Sequence, residues 1–406
     1  MGISPFSSPR QPFSYSITHR LDRVLDAAIT QNRIVGATVL VAHRGKEIYR
    51  GSAGYFDREA RLPMRDNTIF IMGSLSKPLV SVIAMRMVEK GLISLSDPLT
   101  RWLPDFRPKL ANGTEPVIRI WHLLTHTSGL AYRFVEPQDS PYHRLSIPDT
   151  LDEVGMTIQE SLQRLASAPL FSVPGKKWRY SLSIDVLGAL LEAVCQQKLG
   201  DIVKNWLAGP LGMADTGCGV TDTSRFAITY HDGQNRPVRM NMNKNTQLPL
   251  FGSSVVLNPN RTVHPDAYAS AGICLVSTAD DMMLFTESLR RGGMPLLKRQ
   301  SFELMLRDHV GSQAQSQGPG WGFGMGWGVL NDPLCTYTPQ SAGTIQWRGV
   351  YGHYWFMDRQ NQLSAVVMTN TAFRGMIGCF PRNIRDAIYG VENKGEYREG
   401  IWDGYQ

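Results

Sequence analysis

Ser74-Leu75-Ser76-Lys77 is the only Ser-x-x-Lys in the sequence. At the start of a helix, side chains three residues apart share a face, so the Ser74 hydroxyl and the Lys77 amine can meet. A serine hydroxyl is a weak nucleophile until a nearby base accepts its proton. A lysine serves as that base only where burial or a neighbouring cation lowers its pKa. First-turn amides have no partner within the helix, so the Ser74 N–H is free to face an oxyanion. Pro78 is compatible with the same turn. Alone, the tetrapeptide decides little. About one such match is expected by chance in a chain of this size, and a capping serine beside a surface lysine is the commoner reading.

Tyr180-Ser181 follows Pro174-Gly175 and opens a helix holding Asp185, Val186, Leu187 and Gly188; a tyrosine there is often a core aromatic. Leu124 to Leu130, with His126 inside it, reads as a helix end running into a Ser/Gly turn. Ala271-Gly272 followed by Ser277 to Asp281 reads as a strand running into a capped helix. Competing chemistries have less support. There is no Gly-x-Ser-x-Gly elbow and no His-Glu-x-x-His, so neither an α/β-hydrolase nor a metal site is expected. Asp215-Thr216-Gly217 lacks the second copy that aspartic-protease chemistry needs. Asn112-Gly113-Thr114 reads as a turn.

The elements that must position these residues follow from periodicity. Ser16–Thr30 is an amphipathic helix, and Ile34–Val41 with Glu47–Gly51 forms a hairpin around Arg44-Gly45-Lys46. Phe70–Met72 is a short apolar run. In Ser74–Lys90 the apolar residues form one helical stripe, with Gly91 as C-cap. Trp121–Leu124, Ile158–Leu165 and Ile184–Gln196 look helical. After an alternating Gly/apolar stretch at Trp321–Leu330, Thr344–Trp347, Tyr354–Asp358 and Leu363–Thr369 read as successive antiparallel strands, and Phe380–Tyr389 as a closing helix. Strands at both ends with helices between them predict an α+β fold. Its antiparallel sheet is flanked by terminal helices and joined to a mainly helical domain. The expected division is 1–72 with 268–406 for the sheet, and 73–267 for the helical part.

Bulk properties exclude several classes. The 406 residues, 42% hydrophobic and 19% charged, suit a globular chain with a sizeable core. The net charge of +7 is diffuse, with no run of three Lys/Arg, so nucleic-acid binding is not expected. Residues 1–20 are Ser/Pro-rich without the apolar centre of a signal peptide, and no apolar run could cross a bilayer. Cys195, Cys218, Cys274, Cys335 and Cys379 are scattered, which fits reduced, mostly buried thiols in a cytoplasmic protein. Oligomeric state is left open.

Taken together and in order, Ile34–Val41, Ser74–Lys77, His126–Leu130, Pro174–Gly188, Gly318–Gly328 and Gln346–Asp358 closely resemble the serine β-lactamase and penicillin-binding-protein superfamily. Within it the chain most resembles the bacterial family VIII carboxylesterases, over Leu21 to about Tyr389. The resemblance implies a β-lactamase/transpeptidase-like fold with the active site between its two parts and no cofactor. It implies Ser74 as nucleophile, Lys77 as its partner, and Tyr180 as the proton shuttle, held partly deprotonated by Lys77. The superfamily's Lys-Thr-Gly is absent; Trp347-Arg348-Gly349-Val350 stands in its place, as in the esterase branch. Trp347 then supplies a flat apolar wall suited to neutral esters. Strand alternation turns Arg348 to the other face, and the Ser74 and Val350 amides form the oxyanion hole. Gly349 and Tyr132 are implied at the substrate, and His126 and His353 as hydrogen-bonding scaffold. Tyr180-Ser181-Leu182 lacks the usual asparagine two residues after the tyrosine, which weakens the case for β-lactam turnover. The function implied is hydrolysis of small or short-acyl esters. Alternatives are acyl transfer through the same acyl-enzyme, residual β-lactamase or D-peptidase activity, or a non-catalytic binding protein.

Overall fold

A computed structural model describes residues 15–391, apart from 153, 221, 251–252, 265–266 and 312–313. The Ser/Pro-rich residues 1–14, read above as lacking a signal sequence, lie outside the described residues. Helix α1 (Tyr15–Thr30) leads into β1 (Gly36–His43), β2 (Lys46–Asp57) and β3 (Leu62–Pro63). The tight β1–β2 turn has positive φ at both Arg44 and Gly45, the backbone twist that two-residue hairpins need. After β4 (Phe70–Ile71) come a single 3-10 turn, Gly73–Leu75, and helix α2 (Ser76–Glu89). The middle of the chain carries α3 (Ile120–Leu124), α4 (Ile158–Ser167), α5 (Ser183–Cys195) and the short strand β5 (Gly217–Cys218). It also holds two hairpins that periodicity did not predict, β6 (Tyr230–His231) with β7 (Val238–Arg239) and β8 (Thr246–Leu250) with β9 (Ser253–Leu257). Then follow β10 (Leu275–Ser277), α6 (Ala279–Arg290), β11 (Trp321–Phe323), β12 (Gly328–Leu330), β13 (Ile345–Gly349), β14 (His353–Asp358), β15 (Leu363–Thr369) and α7 (Cys379–Tyr389).

One eight-stranded sheet runs β11-β12-β13-β14-β15-β1-β2-β3, and a smaller one runs β4-β10-β5. The large sheet is antiparallel where β15 meets β1, joining residues from opposite ends of the chain. Its central strands are apolar on both faces because both are covered. Val39, Val41, Phe356 and Val367 face α1 and α7, with Leu25 and Ile384 in the same cluster. Leu40, Trp355, Val366 and Met368 alternate to the other face, toward α6 and α2. There the Phe285 and Trp355 rings meet edge to face, with centroids 6.0 Å apart.

Helix α2 departs from the single-stripe expectation. From Ser76 to Met85 every residue is buried, so the helix runs through the core rather than along its surface. The thiols also differ from expectation, since only Cys274 of the five is buried and Cys335 is exposed. Because Ile83 is fully buried at the middle of α2, Ile83→Ala is expected to cost about 2–5 kcal/mol, read as a lower urea midpoint.

Candidate active site

The turn carrying Ser74 is clamped from two sides. On one side, the Met72 N–H donates to Leu275 O at 2.9 Å and the Leu275 N–H donates to Ser76 Oγ at 3.2 Å. On the other, His353 donates from Nε2 to Ile71 O at 2.7 Å, while its Nδ1 accepts the Thr369 N–H at 3.1 Å. Burial lowers this imidazole to about 4, so it stays neutral and acts as a fixed strut. Gly349 completes the clamp. A carbon added there would lie 2.6 Å from Met72 O, so glycine is what lets β13 approach the turn. Gly349, expected at the substrate, thus stands directly against the turn that carries Ser74.

Within the turn the i, i+3 spacing brings Lys77 Nζ to 3.2 Å from Ser74 Oγ, as the sequence predicts. The Tyr180 hydroxyl donates to the same Oγ at 2.6 Å. Lys77 also donates to Gly272 O at 3.0 Å and lies 4.9 Å and 5.2 Å from the Tyr180 and Tyr132 ring centroids. Complete burial lowers the amine from 10.5 to about 7, against the opposing charge of Asp185.

Tyr180 is held by a ladder between two loops. The Gly175 N–H donates to Thr127 O, the Arg179 N–H to His126 O and the Leu182 N–H to Ala131 O. Side chains add His126 Nδ1 to Ser181 Oγ at 3.0 Å, and Ser183 Oγ to both Ser181 and Ser128 Oγ at 2.8 Å. Burial pushes His126 well below its ordinary value, which agrees with the scaffold role expected for it. Ser181 is thus spent on the ladder, and Leu182 is buried.

The Ser74 turn opens on a cleft of about 1390 Å³ lined by Tyr132, Tyr180, Trp347 and Val350, among others. Trp347 packs its ring 5.6 Å from Tyr180 and 5.3 Å from Phe323. Arg348 does alternate away from Trp347, pairing with Tyr354 across the strand. The cleft nonetheless reaches it, because β12 pairs with β13 only at Ile345 and Gln346 and leaves the following edge open. The Val350 amide lies beside the turn, 3.7 Å from where a Gly73 side chain would begin. Tyr132 lies at the cleft as expected, but it is 1% exposed and its hydroxyl donates to Asp185 Oδ2 at 3.4 Å. Sequence reasoning missed Asp185 and Gly272. The available signal was one acidic residue on the otherwise apolar first turns of α5.

An amine held near 7 in the fold and near 10.5 when unfolded makes the native state the poorer proton binder between those values. Stability from this group therefore rises with pH across that window. Relative to Lys77→Met, the parent is expected to gain on the order of 2–3 kcal/mol between pH 7 and pH 9, read from urea midpoints at both. An equal gap at the two pH values would contradict a neutral buried amine.

The chain is 46% identical over 375 residues to Esterase EstB of Burkholderia gladioli, covering 92% of this chain and 95% of that one. It superposes with a TM-score of 0.89 on EstCE1, described as a hydrolase with promiscuous acyltransferase activity. That match is also 46% identical, over 92% of this chain and 99% of the other. The simvastatin synthase LovD of Aspergillus terreus shares the fold at a TM-score of 0.71 and 20% identity, over 92% of this chain and 98% of that one. With residues 21–381 matching the Beta-lactamase family, the chain belongs to that family, in company with its esterases.

Proposed function

We propose that the protein is a serine carboxylesterase that cleaves small or short-acyl neutral esters through an acyl-enzyme on Ser74. The observation that carries this reading is one oxygen, Ser74 Oγ, in hydrogen-bond reach of both Tyr180 and a fully buried lysine. Above about pH 7 the Lys77–Tyr180 pair is one proton short and takes the Ser74 proton as Oγ bonds to the ester carbon. The amides of Ser74 and Val350 receive the oxyanion, each worth roughly 3–4 kcal/mol. The carbon–alkoxy bond then breaks and the pair returns the proton to the departing alcohol. Water, deprotonated by the same pair, attacks the acyl carbon and releases acid and free Ser74.

The cleft lies between the sheet part, 1–72 with 268–406, and the helical part, 73–267, in this reading. Beside Ser74, Trp347 and Tyr132 give the cleft aromatic walls where the superfamily's lysine would stand, which favours an uncharged group at that end, while Arg348, Arg382 and Arg385 line a farther part of the same cleft. Acyl transfer to an alcohol or amine is the second reading, favoured by the acyltransferase activity ascribed to EstCE1. Efficient β-lactam turnover is disfavoured, since the residue two beyond Tyr180 is the buried Leu182 rather than a polar amide. Among the described residues no helix is long and apolar enough to cross a membrane, and a cytoplasmic setting remains part of this proposal.

Ser74→Ala is expected to lower kcat/KM on p-nitrophenyl acetate by at least about a thousandfold with an unchanged circular-dichroism spectrum. Retention of most of the activity would remove Ser74 as nucleophile. Trp347→Lys is expected to cost roughly tenfold in kcat/KM on the same neutral ester; an equal or faster rate would mean that Trp347 does not line the acyl path. Adding an alcohol acceptor and following transfer product against free acid separates the two readings.

A further inference from the structure

Asp185 has no place in the steps above, yet it is 4% exposed beside the reacting groups. It stands on the first turn of α5, directly after the Tyr180 loop. Its Oδ1 accepts the Ser270 hydroxyl and the Gly272 N–H, the latter at 3.4 Å, and its Oδ2 accepts the Tyr132 hydroxyl. Gly272 is the pivot: its N–H reaches Asp185 while its C=O accepts Lys77 Nζ at 3.0 Å. A carbon added at Gly272 would lie 2.7 Å from Asp185 Oδ2 and 3.2 Å from Lys77 Nζ. The absence of a side chain there lets a carboxylate and an amine share one pocket without touching.

The other groups around this pair leave Asp185 as the counter-charge. Toward Lys77 face the Ser74 and Tyr180 hydroxyls, the Tyr132 ring and His126, whose burial keeps it neutral. Toward Asp185 face Tyr132, Ser270, Tyr268 and the Cys274 thiol, with the buried Arg261 guanidinium beyond them, 4.6 Å from the Tyr268 ring centroid. Burial raises both phenols and the thiol, helped by the Asp185 charge at the phenols and by the Cys218 thiol at Cys274, so all three stay protonated. In a low-dielectric pocket, a carboxylate at this range still acts on a neighbouring amine.

We propose that Asp185 is the positioning residue of the Ser74–Lys77–Tyr180 group. Through Gly272 it fixes where the Lys77 amine sits, and its negative charge sets the acid limb of the pH–rate profile. Burial and charge oppose each other at Lys77. Burial favours the unprotonated amine, and the carboxylate opposes it. The inference rests on the acyl-enzyme reading, in which a proton on Lys77 blocks turnover.

The test is the pH dependence of kcat/KM on p-nitrophenyl acetate for the parent, Asp185→Asn and Asp185→Glu. Asp185→Asn keeps most of the hydrogen-bonding shape but removes the charge, so its acid limb is expected on the order of one pH unit lower. Asp185→Glu restores the charge and is expected to move the limb back toward the parent. If Asp185→Asn does not fold, Asp185→Ser carries the same expectation. A limb at the parent's pH, or a higher one, with only the plateau reduced, would make Asp185 merely structural and overturn the proposal. A fluorophosphonate label followed by mass spectrometry keeps the two failures apart. If parent Ser74 is not labelled, the acyl-enzyme reading fails; if Ser74 is labelled in every variant while the limb stays fixed, only the role of Asp185 fails.

Discussion

The structure turns on one lysine amine buried on a core helix. Lys77 is buried because α2 is a core helix, and α2 is a core helix because from Ser76 to Met85 it carries no other charge. A charged ammonium there would cost several kcal/mol, and the protein meets this by letting the amine lose its proton near neutrality. Everything adjacent serves that state. The Gly272 carbonyl satisfies one donor, aromatic rings close the sides, and the Asp185 carboxylate, linked to the amine through the two hydrogen bonds of Gly272, opposes the loss of its proton. The arrangement spends stability on reactivity, in keeping with the strain and desolvation concentrated at working sites.

The proposed nucleophile needs equal care, because an oxygen aimed at a carbonyl tolerates little displacement. Ser74 sits on a short turn between two sheets that pull on it from opposite sides. The small sheet holds Met72 and Ser76 through Leu275, and the large sheet holds Ile71 through His353. Gly349 lets the second sheet close on the first. Val350, proposed above as an oxyanion donor, directly follows the strand that braces the Ser74 turn.

What the sequence made legible was local. The i, i+3 spacing of Ser74 and Lys77 depends only on helical geometry, and the strands around Val39, Trp355 and Val366 announce themselves through β-branched and aromatic content. The Tyr180 loop and Trp347 were readable through the order of short motifs. The remainder depends on contacts between distant segments. Nothing near Gly349 says that a carbonyl from residue 72 will press against it. Asp185 and Gly272 are 87 residues apart when they meet, so no window along the chain contains both. Hairpins such as β8–β9 escaped because each strand is only five residues long and Pro249 inside β8 argues against a strand. Arg348 was assigned to the correct face of β13, but which face borders the cleft depends on where β12 stops pairing, a tertiary fact.

The joining of β1 to β15 also carries a consequence for how the molecule comes into being. Val35 reaches Thr371 across 336 residues, and the β1–β15 ladder begins immediately beyond them. During synthesis at about 5–20 residues per second, the first long strand therefore waits on the order of tens of seconds for its central neighbour. Through that interval β1 offers one bare edge and two apolar faces, with only α1 and the β2 hairpin to shelter it. The helical segments emerging meanwhile can pack locally, whereas the sheet that clamps Ser74 is assembled only once β15 has been made. The nascent chain is thus exposed to self-association until β15 arrives, and the Ser74 turn becomes rigid no earlier than that.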